Sequence, residues 1–161
     1  MHVQALDAKE INAVANIITK YYASPVSVTS DSVVSAWREI AACHAATCAA
    51  LERELGERHG LGVSDFEVLA RLAESDEHKF RAQDLAEAVH LSQSALSRLV
   101  DRLARHGLVE RYTCDMDRRG IFVQLTDAGR QRHAEAAPTH REILGRTLPA
   151  GMVGGPRAKA D

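Results

Sequence analysis

The chain has 161 residues, of which 45% are apolar, and carries a formal net charge of -2. That length suits one domain, or a small domain with extensions, and the apolar share is enough for a real core. So small a net charge excludes a chain that is basic or acidic throughout, so any case for nucleic-acid binding must rest on local charge.

In residues 6–22, Leu6, Ile11, Val14, Ile17, Ile18 and Tyr21 recur at helical spacing and predict a short helix. Pro25 and the β-branched and hydroxyl residues around it end that helix, and residues 1–30 read as an N-terminal extension. Asp31 or Ser32 can cap a long helix that runs to about His59. Its apolar stripe is Val33, Trp37, Ile40, His44, Cys48, Leu51 and Leu55. A helix of this length outruns what one small domain can bury, so it is expected to pack on a second subunit.

Gly60 and Gly62 stop this helix, and Ser64 with Glu67 reads as a capping box for the next. Phe66, Leu69, Leu72 and Ala73 form the inner face of that helix, and Phe80 lies in one short strand. A helix over 82–89 buries Leu85, Ala86 and Val89; His90 and Leu91 turn the chain, and Ser92 caps a helix over 92–106. There the core face is Leu96, Leu99, Val100 and Leu103, and Gly107 ends the helix. Leu108–Thr113 and Ile121–Leu125 read as the two strands of a hairpin joined by the polar stretch CDMDRRG. Thr126 caps a last helix to about Leu148, with a kink expected at Pro138, and residues 149–161 read as a flexible Gly/Pro-rich tail. Residues 31–60 are thus expected to form a dimerisation helix and 61–125 a winged helix-turn-helix.

The two short helices and the hairpin carry the functional signal. From Ser92 to Arg119 there are six arginines against four acids, in a chain that is acidic elsewhere. Ser92, Gln93, Ser94, Ser97, Arg98 and Arg102 lie on or beside the outer arc of the second helix. Short side chains let a helix axis approach base edges, and an arginine can fork to a guanine. Arg118 and Arg119 at the hairpin tip can reach an adjacent minor groove, where negative potential concentrates. The plainer alternative is a solvated helix face beside a charged surface turn.

At these residues the sequence resembles the multiple-antibiotic-resistance regulator (MarR) family. The resemblance rests on Leu85-Ala86, on LSQSALSRLVDRLARHGLVER and on DMDRRGIFVQLTDAG, and it covers about Val34 to Leu148. It implies a mainly helical winged helix-turn-helix protein with a small β-hairpin wing, forming a homodimer with interlocked outer helices, and so implies that 126–148 is a dimerisation helix too. It also implies a repressor of palindromic double-stranded DNA, released by a small-molecule effector. By position, Ser92, Gln93, Ser94, Ser97 and Arg98 match the family's recognition helix, and Arg118 and Arg119 its wing. The family pattern continues past Leu148 with another interface helix, whereas this chain becomes rich in glycine and proline; the N-terminal extension is the candidate substitute.

Trp37, Arg38, Phe66 and Arg71 are the candidate lining of an effector pocket, with plain core packing as the alternative for Trp37. His44 and Cys48 stand one helical turn apart, a spacing that can hold a metal, although both fall on the apolar stripe. A metal- or thiol-responsive regulator of the same fold is therefore an alternative reading. A winged-helix protein-interaction module without DNA binding is another. No phosphate loop, nucleophile elbow or zinc-protease motif is present, so no enzyme, catalytic residue or cofactor is expected. Three cysteines without a disulfide framework, and no apolar run of spanning length or leader, lead to an expected cytoplasmic location with no membrane partner.

Overall fold

The computed structural model describes residues 30–114 and 117–149. The short helix expected over 6–22 and the tail from residue 150 onward lie outside the described residues. The chain divides into two units, one comprising residues 1–43 with 148–161 and the other His44–Thr147. Helix α1, Ser30–His59, runs through both.

In the first unit, the apolar stripe of α1 is largely uncovered: Val33 is 53% exposed and Trp37 64%. Farther along α1, within the second unit, Leu51 and Leu55 are buried. Arg58 and His59 in its last turn complement the negative end of the helix dipole. Gly60, at φ +64°, then turns the chain in a conformation that a side chain would disfavour.

Helix α2, Val63–Glu74, follows, with Phe66, Val68, Leu69 and Leu72 buried. Its N-terminus differs from the expected Ser64 and Glu67 capping box. The N-cap is Gly62, whose amide donates to Asp65 Oδ2 at 3.0 Å. Val63 N–H donates to Glu52 Oε2 of α1 at 2.8 Å. Glu67, freed from capping, is used elsewhere.

Strand β1, Lys79–Arg81, leads into α3, Ala82–Ala88, then α4, Gln93–Arg105. Strands β2, Val109–Cys114, and β3, Asp117–Leu125, form the hairpin. The sheet is antiparallel in the order β1-β3-β2. Strand β3 begins four residues earlier than the sequence pattern predicts, so Arg118 and Arg119 stand in a strand rather than in the connection.

Helix α5, Asp127–Thr147, closes the unit. Thr126 Oγ1 accepts the amide of Gly129 at 3.0 Å and donates to Gly107 O at 2.7 Å, tying the start of α5 to the end of α4. Pro138 lies inside α5, and the helix continues beyond it to Thr147. The core gathers Leu51 and Leu55 of α1, Leu69 and Leu72 of α2, Leu103 of α4, Val123 of β3 and Ile143 of α5. The segments read as dimerisation helices therefore also supply core to the winged helix.

Candidate nucleic-acid interface

Helix α4 is held so that one face is fixed and the other is free. Its apolar residues return every three or four positions, and Leu96, Leu99, Val100 and Leu103 are buried as that spacing requires. The turn from α3 is tight because His90 takes φ 54°, letting Leu91 N–H donate to Ala86 O at 2.9 Å. Ser92 Oγ accepts the amide of Ala95 at 3.2 Å, a side-chain N-cap. Gly107, at φ +70°, ends α4 and delivers the chain to β2.

The opposite face is exposed along its length. Ser92, Gln93, Ser94, Ser97 and Arg98 are all exposed in the first two turns. Ser92 is spent on capping, and its Oγ also lies 3.2 Å from Ser94 Oγ. Among the described residues, exposed Arg98 makes no hydrogen bond or ion pair.

Two other arginines near this face are engaged within the fold. Arg102 Nη2 lies 2.6 Å from Asp65 Oδ1, and Asp65 is only 7% exposed. Arg102, expected among the DNA-contacting residues, thus braces α4 against α2, while its side chain stays half exposed. Arg111 of β2 donates from Nη1 to Asp101 at 2.5 Å and from Nη2 to Ser97 O and Oγ at 3.1 and 3.2 Å. Sequence reasoning missed both clasps. Their partners stand ten or more positions away, where helical periodicity carries no signal.

The backbone of β3 carries Arg118 and Arg119 on the wing. Their side chains lie outside the described part of the structure. Nearer the sheet, Tyr112 and Phe122 stack across β2 and β3 with centroids 5.6 Å apart, stiffening the hairpin.

Of the candidate effector residues, Phe66 and Arg71 border a cleft of 270 Å³ between α2 and α5, with Glu67, His133, His140 and Arg141. Phe66 is 3% exposed and is flanked by His140, stacked at 4.3 Å, and His133, tilted at 5.3 Å. Arg71 pairs with Glu74 at 3.1 Å. Trp37 and Arg38 belong to the first unit, where both are exposed.

His140 Nε2 lies 3.5 Å from Glu67 Oε1. The hydrogen bond from His140 holds the Glu67 carboxyl below its ordinary value of 4.5. Burial pushes the His133 imidazole below its ordinary 6.5. Both shifts make the unfolded chain bind more protons than the folded one, so acid destabilises the fold. Stability is expected to fall once pH drops below about 6.5, through His133, and again below about 4.5, through Glu67. Thermal melting against pH checks this, and His133→Gln should flatten the upper step. A melting temperature that rises on acidification through the first window would contradict it.

Cys48 Sγ lies 3.4 Å from His44 Nε2. That pair is two ligands, and among the described residues no group of three or more metal-ligating side chains is assembled. Among the same residues no helix is long and apolar enough to cross a membrane.

A capped helix with a fixed apolar face and a free polar face, preceded by a short helix and followed by a hairpin, defines a winged helix-turn-helix protein. Residues 61–121 match the family model described as the MarR family. The chain superposes on AbsC, a MarR family transcriptional regulator from Streptomyces coelicolor, with TM-score 0.70 and 33% identity, covering 76% of this chain and 82% of AbsC. It is similarly close to Sco3205, a MarR family regulator of the same organism solved in complex with DNA. That TM-score is also 0.70, at 30% identity over 78% of each chain. Among curated relatives, the repressor YetL of Bacillus subtilis (strain 168) is 31% identical over 81 residues, or 50% of this chain and 48% of YetL. The chain spans about half the length of the curated relatives it matches. The chain belongs to the MarR family of transcriptional regulators.

Proposed function

We propose that this protein is a sequence-specific DNA-binding regulator, acting as a repressor that a small molecule releases. The observation that carries the reading is the outer face of α4, where Gln93, Ser94 and Ser97 surround Arg98, a cation with no partner among the described residues. Such a face suits major-groove readout. The wing arginines Arg118 and Arg119 would anchor on phosphate and minor groove. The likeness to Sco3205, solved with DNA, supports the same direction. Sequence-specific DNA binding, in this reading, takes place in the cytoplasm.

The working unit is a homodimer. Val33, Val34 and Trp37 expose large apolar surface on one helix, which a second copy can cover. Two recognition helices on a two-fold axis should then read half-sites about 34–36 Å apart. Light scattering of the full chain is expected to give twice the monomer mass, and footprinting upstream of its own gene a pseudo-palindrome. A monomer at micromolar concentration, or protection of one unsymmetrical half-site, would count against this reading.

The effector would enter the cleft beside Phe66, where an aromatic floor is bordered by Arg71 and Arg141 and by the carboxylates of Glu67 and Glu74, a lining that suits a flat aromatic compound with polar groups. It would lower DNA affinity only by binding the released state better.

A further inference from the structure

We propose that Arg111 sets the base preference of Ser97, acting as a specificity-determining residue that never touches the base itself. This inference rests on the DNA-reading role proposed above for α4 and concerns how that face discriminates. The guanidinium of Arg111 stands on β2 and reaches across to two consecutive turns of α4. Nη2 donates to the Ser97 carbonyl at 3.1 Å and to Ser97 Oγ at 3.2 Å, while Nη1 donates to Asp101 Oδ1 at 2.5 Å.

Two consequences follow from the chemistry of those partners. A serine hydroxyl has one proton and two lone pairs. With a cationic N–H directed at its oxygen, one lone pair is occupied, and the proton is repelled toward the far side, which on exposed Ser97 is solvent or DNA. Ser97 is thereby polarised as a donor and should seek an acceptor. In the major groove guanine offers O6 and N7 and thymine offers O4, whereas cytosine offers only an amino donor. The second consequence is electrostatic. Asp101 is an exposed carboxylate on the α4 surface that would face phosphates, and the Arg111 contact neutralises it where a bare charge would repel DNA.

The two effects are separable. Arg111→Gln removes the cation but leaves a side chain that both donates and accepts, so the Ser97 proton can turn either way and Asp101 is uncovered. The pair Asp101→Asn with Arg111→Gln removes the bare carboxylate while leaving the Ser97 hydroxyl unpolarised. The full-length wild type, Ser97→Ala, Arg111→Gln and the double variant should each be run through binding selection on a randomised duplex library. Affinities on the selected site follow.

The position whose preference disappears in Ser97→Ala identifies the base that Ser97 reads. The wild type is expected to favour guanine or thymine over cytosine there by on the order of tenfold. Arg111→Gln is expected to flatten that preference and to weaken binding at all sequences. The double variant should recover the affinity but keep the flattened preference. Arg111→Met, which removes both the cation and its donors, replaces Arg111→Gln if melting shows the latter unfolded.

A wild type that favours cytosine at the Ser97-dependent position overturns the inference. So does an Arg111 variant that folds and keeps the wild-type preference, or a Ser97→Ala variant that shifts no position. A wild type that selects no sequence at all removes the DNA-reading role instead.

Discussion

Arg98→Ala is expected to abolish most of the sequence-specific DNA binding of this protein while leaving its melting temperature where it was. The two halves of that expectation share one cause. Arg98 is exposed in the second turn of α4 and, among the described residues, contributes no hydrogen bond or ion pair to the fold. Its removal therefore costs the folded chain little. On DNA, a forked arginine contact with a base is worth about 1–3 kcal/mol per half-site, so a dimer loses the contact twice and affinity should fall by at least about thirtyfold. Arg119→Ala on the wing should behave differently. It should weaken specific and non-specific duplexes alike and reduce the salt slope by about 0.9 per subunit. Titration against operator and scrambled duplex at several salt concentrations separates the two. Unchanged affinity in both variants would leave the protein-interaction module as the better reading.

Gly129→Ala is expected to destabilise the folded unit strongly. A Cβ at Gly129 would collide with the carbonyl oxygen of Leu108 and lie 2.8 Å from Leu125 Cδ1. The first of these neighbours is backbone, at the entry to β2, and cannot swing aside. The N-terminus of α5 would have to lift from the hairpin, breaking the Thr126 contacts with Gly107 and Gly129. A loss of about 3 kcal/mol or more is expected, read as a lowered denaturation midpoint. Gly145→Ala in the same helix is the control. It meets nothing within 4 Å and should stabilise by about 0.5–1 kcal/mol through helix propensity. If both substitutions moved stability by the same amount, the steric account would be wrong.

What was legible in the sequence was whatever follows from local periodicity and capping. The buried stripe of α4, its Ser92 cap and its Gly107 terminus are short-range features, and each stands where the pattern puts it. The start of α2 was misread because Ser64 and Glu67 satisfy the local capping pattern, while the fold prefers Asp65 and a carboxylate from Glu52. Glu67 is drawn instead to His140, more than seventy residues later in the chain. The early start of β3 was hidden because Asp117, Arg118 and Arg119 are consecutive polar residues, which mask the alternation of a strand. The roles of Arg102 and Arg111 depend on partners in other elements, Asp65, Ser97 and Asp101. A charge count treats all the arginines of this region alike, whereas among the described residues Arg102 and Arg111 are paired and Arg98 is not.

The sheet order also constrains how the chain can be made. Strand β3 is central, yet it is the last strand to be synthesised, and β1 must wait for it across more than forty residues, from Lys79 to Gln124. On the ribosome, β1 and the two helices that follow it therefore emerge with one edge unsatisfied. The β2–β3 hairpin, whose partners are close in sequence, can form as soon as Leu125 is free. Capture of β1 by that hairpin then completes the three-stranded sheet. A nascent chain stalled before Leu125 should remain open to proteases along α3 and α4, and one released just beyond it should acquire protection there.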